Sequence, residues 1–239
     1  MMRLSSALFL LASLSAFLIG QILFQPDANA TGMVPETSVV IVEASNGEGA
    51  INLQNSDSWP ALLVTAIENL PGDDSHNIIV SPPVSRVEPG QIQRVRFLIT
   101  GDKALQTEKL KRVTFHGIPP QMKGENSVRV SVRQNLPMII RPANLPVDNA
   151  PWRHLEWRHD KSGLSVINPS PYIVRLMQSI ETLPDKTVWS LPKAYILPGE
   201  SLHIAVERNG KSVNAEKVRF MPASSWGYTS QPYEMPLTH

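Results

Sequence analysis

An all-β fold is predicted by three features of the sequence. Proline supplies 21 of the 239 residues and falls between apolar runs rather than in one cluster, a distribution that interrupts helices and suits short strands. Beyond Thr37 no proline-free stretch of about twelve residues holds a 3.6-residue apolar period. The apolar residues come instead in short runs bounded by turn chemistry.

Those runs define the elements in order. Ser38–Ala44, Ala50–Asn55, Ala61–Glu68, Ile78–Ser81, Gln91–Ile99, Lys111–Gly117 and Ser127–Ile140 read as strands. Asn46-Gly47, Asn55-Ser56-Asp57, Pro71-Gly72-Asp73, Pro89-Gly90 and Ile118-Pro119-Pro120 turn the chain between them. Seven strands in roughly 110 residues is the pattern of an immunoglobulin-like sandwich. From Arg141 to Trp152 the chain carries three prolines and little periodicity, which reads as a connector. A second, smaller set of strands follows at His154–Arg158, Leu164–Asn168, Tyr172–Ser179, Ser201–Val206 and Val218–Met221, with Asn209-Gly210 as a hairpin turn. The expected organisation is a leader over residues 1–30, a first sandwich over 31–143 and a second over 144–239. The tail after Trp226, which contains Pro232 and Pro236, is expected to be disordered.

The leader has three parts. Arg3 gives a basic start, Ala7–Ile19 is apolar, and Ala28-Asn29-Ala30 presents small residues where a signal peptidase reads. Gly20, Gln21 and Pro26 interrupt the apolar run before about 20 clean residues accumulate, so cleavage is expected rather than stable membrane insertion. The processed chain is then expected in a periplasm. The full chain's 22 Lys+Arg against 21 Asp+Glu, a balance that losing Arg3 and Asp27 leaves unchanged, create no field for nucleic acid or an anionic membrane. The lack of cysteine excludes disulfides, thiolate metal sites and a thiol nucleophile.

Nothing in the sequence assembles a catalytic site. It has no Gly-x-Ser-x-Gly elbow, no phosphate-cradling glycine loop and no His-Glu-x-x-His helix. His154 and His159 fall on opposite faces of the expected strand, and His116 lacks a base-and-orienter partner. Asp73-Asp74-Ser75-His76 names triad residue types, but four neighbours in one loop cannot form a nucleophile–base–orienter line. The reading is a non-enzyme with no cofactor and no metal.

The most informative segment is Ser127–Ile140. Val128, Val130, Val132, Leu136, Met138 and Ile140 share one parity, broken only by Gln134, while Ser127, Arg129, Ser131, Arg133 and Asn135 share the other. At about 3.3 Å per residue this strand is longer than one sandwich needs, so part of it should project beyond its own core. Two readings follow. The row is core, as in a secreted structural or adhesive sandwich protein, or it is an edge offered to another protein's incomplete sheet.

Several segments in order then carry a resemblance. They are Ser81-Pro82-Pro83-Val84-Ser85-Arg86-Val87-Glu88-Pro89-Gly90 followed by Val95-Arg96-Phe97, Gly117-Ile118-Pro119-Pro120, the long strand closing on Arg141-Pro142-Ala143, Asn168-Pro169-Ser170-Pro171-Tyr172, and Leu197-Pro198-Gly199-Glu200. With the leader and the two-sandwich pattern, the chain resembles the periplasmic chaperones of the chaperone–usher pilus pathway, the PapD-like family. The resemblance implies two immunoglobulin-like domains in an L or boomerang arrangement. It implies partners as well: pilin or fimbrial subunits, stabilised by a lent β-strand, and an outer-membrane usher that receives them. Val128, Val130 and Val132 would enter the subunit, and Arg96, Glu108 and Arg141, with Glu207 as a fourth member, would tie the two domains. The family also anchors the subunit's terminal carboxylate with an Arg on the first strand and a Lys on the long strand. Val39 and Pro137 stand at those positions, and neither side chain can donate to a carboxylate. Arg133 and Arg94 are the nearest replacement cations, although Arg133 lies on the parity opposite the valines.

Overall fold

The computed structural model describes residues 32–238 apart from 74–76, 102–104, 121–130, 161–162, 206–214, 225–226 and 228–229. The first half holds β1 (Met33–Pro35), β2 (Val40–Glu43), β3 (Glu48–Asn55), β4 (Ala61–Glu68), β5 (Ile78–Ser81), β6 (Val84–Val87), β7 (Ile92–Ile99), β8 (Lys109–Ile118) and β9 (Arg133–Arg141). One ladder runs β5-β7-β3-β2-β9-β8-β4-β6, with β1 added on β3. It folds into two layers because β2 belongs to both. Val42 and Glu43 pair antiparallel with β3, and Val40–Glu43 pair parallel with β9. Gly49 permits that crossing, since any Cβ there would strike the Ile41 carbonyl oxygen. Pro82 and Pro83 make the opposite corner. They cannot donate to a ladder, and between β5 and β6 the chain exchanges β7 for β4 as its partner.

Alternation places one residue in two inside. Val40, Val42, Ile51, Leu53, Val95, Phe97, Val113, Phe115, Met138 and Ile140 close the first core. Phe97 and Phe115 meet edge to face at 6.5 Å.

The second half begins with a 3-10 turn, Pro151–His154, and continues through β10 (Glu156–Asp160), β11 (Gly163–Ile167), β12 (Val174–Arg175), β13 (Ser179–Leu183), β14 (Val188–Ser190), β15 (Tyr195–Ile196), β16 (Ser201–Ala205), β17 (Lys217–Phe220) and β18 (Tyr233–Thr238). Its main ladder is β14-β13-β17-β18-β10-β11-β16, with β12-β15 as a separate pair. Trp157, Leu164, Val166, Val218 and Phe220 lie at its centre.

Three expectations are corrected. The tail is ordered over β18, where Tyr233, Met235 and Leu237 turn inward against the second core. Pro236 is tolerated because β18 leaves β17 there and pairs with β10 from Leu237 onward. Tyr172–Ser179 is not one strand: Val174 and Arg175 pair with β15, Leu176 bridges to Pro222, and Ser179 opens β13. His154 precedes β10 and bonds Asp148 Oδ2 at 2.7 Å instead of sharing a strand with His159.

Candidate functional site

The open edge of β9 is the first feature of the site. β8 pairs with β9 from Arg133 to Ile140, whereas β2 covers the other side only from Met138 to Arg141. Among the described residues, Arg133–Pro137 therefore has a strand on one side alone, leaving backbone groups free to pair. The inward row shows the same change of environment. Met138 and Ile140 are 0% exposed, Leu136 is half-buried and Val132 is 43% exposed. The row leaves the core where β2 ceases to cover it. Of the expected strand Ser127–Ile140, residues 127–130, including Val128 and Val130, lie outside the described residues, and Val132 immediately precedes β9.

At the other end of β9, charge joins the two domains. Arg141 Nη1 donates to Glu43 Oε1 at 2.7 Å, and its Nε donates to Glu108 Oε1 at 3.2 Å. The second oxygen of Glu108 accepts the Ile173 N–H at 2.8 Å, and the Glu108 N–H donates to the Pro171 carbonyl at 2.9 Å. Burial pushes the Glu108 carboxyl above its ordinary value, while the Ile173 N–H and Arg141 pull it back. Val39, Leu110, Ile139 and Ile173 form an apolar cluster beside these bonds. Next to it a cavity of about 290 Å³ opens between the domains, lined in part by Leu110, Arg112, Pro137, Arg175, Met177 and Tyr195.

Residues 32–146 match the family described as pili and flagellar-assembly chaperone, PapD N-terminal domain, and residues 150–233 match the PapD C-terminal domain. The chain belongs to the PapD-like family of pilus-assembly chaperones. A curated relative, the uncharacterized fimbrial chaperone YhcA of Escherichia coli K12, is 45% identical over 205 residues, covering 85% of this chain and 90% of the relative. The chaperone protein MrkB of Klebsiella pneumoniae is 25% identical, with 85% and 81% covered. Among solved structures, the Salmonella enterica SafA pilin–SafB chaperone complex matches with a TM-score of 0.71 at 18% identity, covering 88% of this chain and 98% of that one. The Escherichia coli chaperone DraB matches with a TM-score of 0.69 at 22% identity, again covering 88% and 98%. These neighbours share the two-domain immunoglobulin-like fold.

In this PapD-like chaperone the expected charge cluster is only partly assembled. Glu108 and Arg141 meet, but Arg96 is a correction. It lies on the solvent parity of β7, between inward Val95 and Phe97, and forms its ion pair with half-buried Glu48. Glu43 takes the third place, and its signal was its parallel register opposite Arg141. Glu207 lies outside the described residues. The two candidate anchors stand away from the cleft. Arg133 bonds Glu68 and Thr114 Oγ1, and Arg94 sits exposed on β7 opposite Asn52. Val39 is 3% exposed within the apolar interdomain cluster, so a cation there would have to be buried.

Proposed function

We propose that this chaperone works in the periplasm, lending the open edge of β9 to a pilin or fimbrial subunit whose own sheet is incomplete and passing that subunit to an outer-membrane usher. The observation that carries this reading is the Arg133–Pro137 edge, paired on one side only while its inward row emerges from the core at Val132. An added subunit strand would satisfy those backbone groups and cover the row. Val128, Val130 and Val132 are the side chains offered to it. Burying three valines is worth roughly 5 kcal/mol before the cost of association. The name of the solved SafA–SafB complex, a pilin with its chaperone, supports the choice of partner, and the leader pattern supports the compartment. Neither catalysis nor a cofactor enters the scheme.

Co-expression with fimbrial subunits of the same organism tests the reading. Val132→Asp should abolish recovery of a one-to-one complex, while Ile79→Asp, at a 53% exposed position on β5, should leave recovery intact. Equal recovery with wild type and Val132→Asp overturns it.

A further inference from the structure

The edge of β9 is not open along its whole length. Backbone N–H and C=O groups point to alternate sides of a strand from one residue to the next. The Ala44 N–H donates to the Arg141 carbonyl at 2.9 Å, so the odd-numbered residues of β9 face β2, and beyond the end of β2 they face the vacant side. The edge offered to a guest therefore consists of the backbone groups of Arg133, Asn135 and Pro137, while Gln134 and Leu136 turn theirs to β8.

Two of those three residues are blunted. Pro137 has no N–H, so a guest carbonyl aimed at it finds no donor. The Asn135 carbonyl already has a donor. Arg112, on the neighbouring β8, reaches across β9: its Nη2 donates to that carbonyl oxygen at 2.6 Å and its Nε to Asn135 Oδ1 at 2.8 Å. Because that carbonyl points away from β8, a donor so close to its oxygen stands where the N–H of a guest strand has to come, whichever way the guest runs. The bond is charge-assisted, and the second bond to Oδ1 fixes the guanidinium in place. Arg133, the other arginine on this face, turns instead to Glu68 and Thr114 Oγ1.

We propose that Arg112 is a displaceable guard on the lent edge: it caps the Asn135 carbonyl while the chaperone is free and leaves when a guest strand supplies an N–H in its place. The assignment rests on the strand-lending reading and deepens it. With the guard on, a guest finds ladder partners only at Arg133 and at the Asn135 N–H, so a short or mismatched segment gains too few bonds to displace the guanidinium. A guest whose pairing runs through Asn135 gains enough. Arg112 thereby shields the edge from indiscriminate pairing and sets how far along β9 a strand must be held before it is accepted.

Fluorescence anisotropy with the purified chain and a labelled peptide of alternating threonine and valine tests the guard. Arg112→Met keeps the apolar stem and removes the donors, and it should bind the peptide about tenfold more tightly than the wild type, the scale of one charge-assisted bond that no longer has to be broken. Arg86→Met removes a cation from β6, where Arg86 pairs with Glu88, and should bind within about twofold of the wild type. A residue that merely supports β9 would weaken binding when replaced, so the direction of the change separates the two roles. Equal or weaker binding by Arg112→Met overturns the guard alone, as does an equal gain with Arg86→Met. Binding by none of the three chains overturns the strand-lending reading and the guard with it.

Discussion

Each half of the molecule uses one strand to bind its two layers, and the two halves use it to opposite effect. In the second half β18 leaves β17 and joins β10 in parallel, and the inward residues beside it, Leu155 and Trp157, are both 2% exposed. In the first half β2 joins β3 to β9 in the same manner, yet β9 counts nine residues and β2 only four. In the second half β18 pairs with β10 only at Trp157 and Arg158, yet the apolar row beside that pairing stays buried. Where the row stays inside, the device completes a domain. Where the row outruns its cover, as it does at Val132, a backbone edge and an exposed apolar residue remain.

The largest expected effect comes from breaking the closed half. Trp157 packs on Phe220 with ring centroids 5.6 Å apart, so Trp157→Ala should cost about 3–5 kcal/mol in denaturant unfolding. A cost comparable to a surface substitution would mean that the second core is not closed. Next comes the junction. Arg141→Met leaves Glu108 buried beside an empty socket and should cost about 3 kcal/mol near neutral pH, whereas Arg96→Ala removes one exposed pair and should cost under about 1 kcal/mol.

The pH dependence of that variant has a fixed sign. Burial raises the folded-state value of Glu108 above 4.5, so the folded protein holds the proton more tightly than the unfolded chain does. Stability associated with the neutral acid is complete below the unfolded value and is lost as pH rises through the folded one. Losing Arg141 removes one of the groups that pull the value down. The penalty of Arg141→Met should therefore shrink as pH falls from neutral toward 4.5, read as the difference in unfolding free energy from wild type.

Apolar runs and turn residues sufficed for β4 and β5, whose bounds match the expectation, because each is a short, mostly apolar run between turns. β18 was obscured by its prolines, since only the switch of partner at Pro236 explains why one is harmless there. Parity also marked the row of β9, but not where its cover ends, which depends on a partner about 100 residues away in sequence. The cavity between the domains was not legible for the same reason, since Leu110 and Tyr195 lie on strands of different domains and only the fold places them around it. Glu108 and Arg141 were found through the resemblance, while Arg96 shows its limit: parity on β7 points it to solvent.

The smallest expected effect on stability lies within the same row that contains the core. Ile140 and Val132 share parity on one continuous segment, yet the first is 0% exposed and the second 43%. The apolar area Val132 has removed from water is thus partial, and any void left by truncation opens to solvent rather than forming a cavity. Val132→Ala should cost less than about 0.5 kcal/mol of unfolding free energy, the scale of an ordinary surface change. If the row is lent as proposed, affinity for a client strand should fall nonetheless, because the lost methyl groups would then contact the guest and not the chaperone's own core. Denaturant unfolding and subunit co-purification measured on the one variant separate these two quantities. A stability loss of about 2 kcal/mol or more would place Val132 inside the first core and remove the distinction between the two halves.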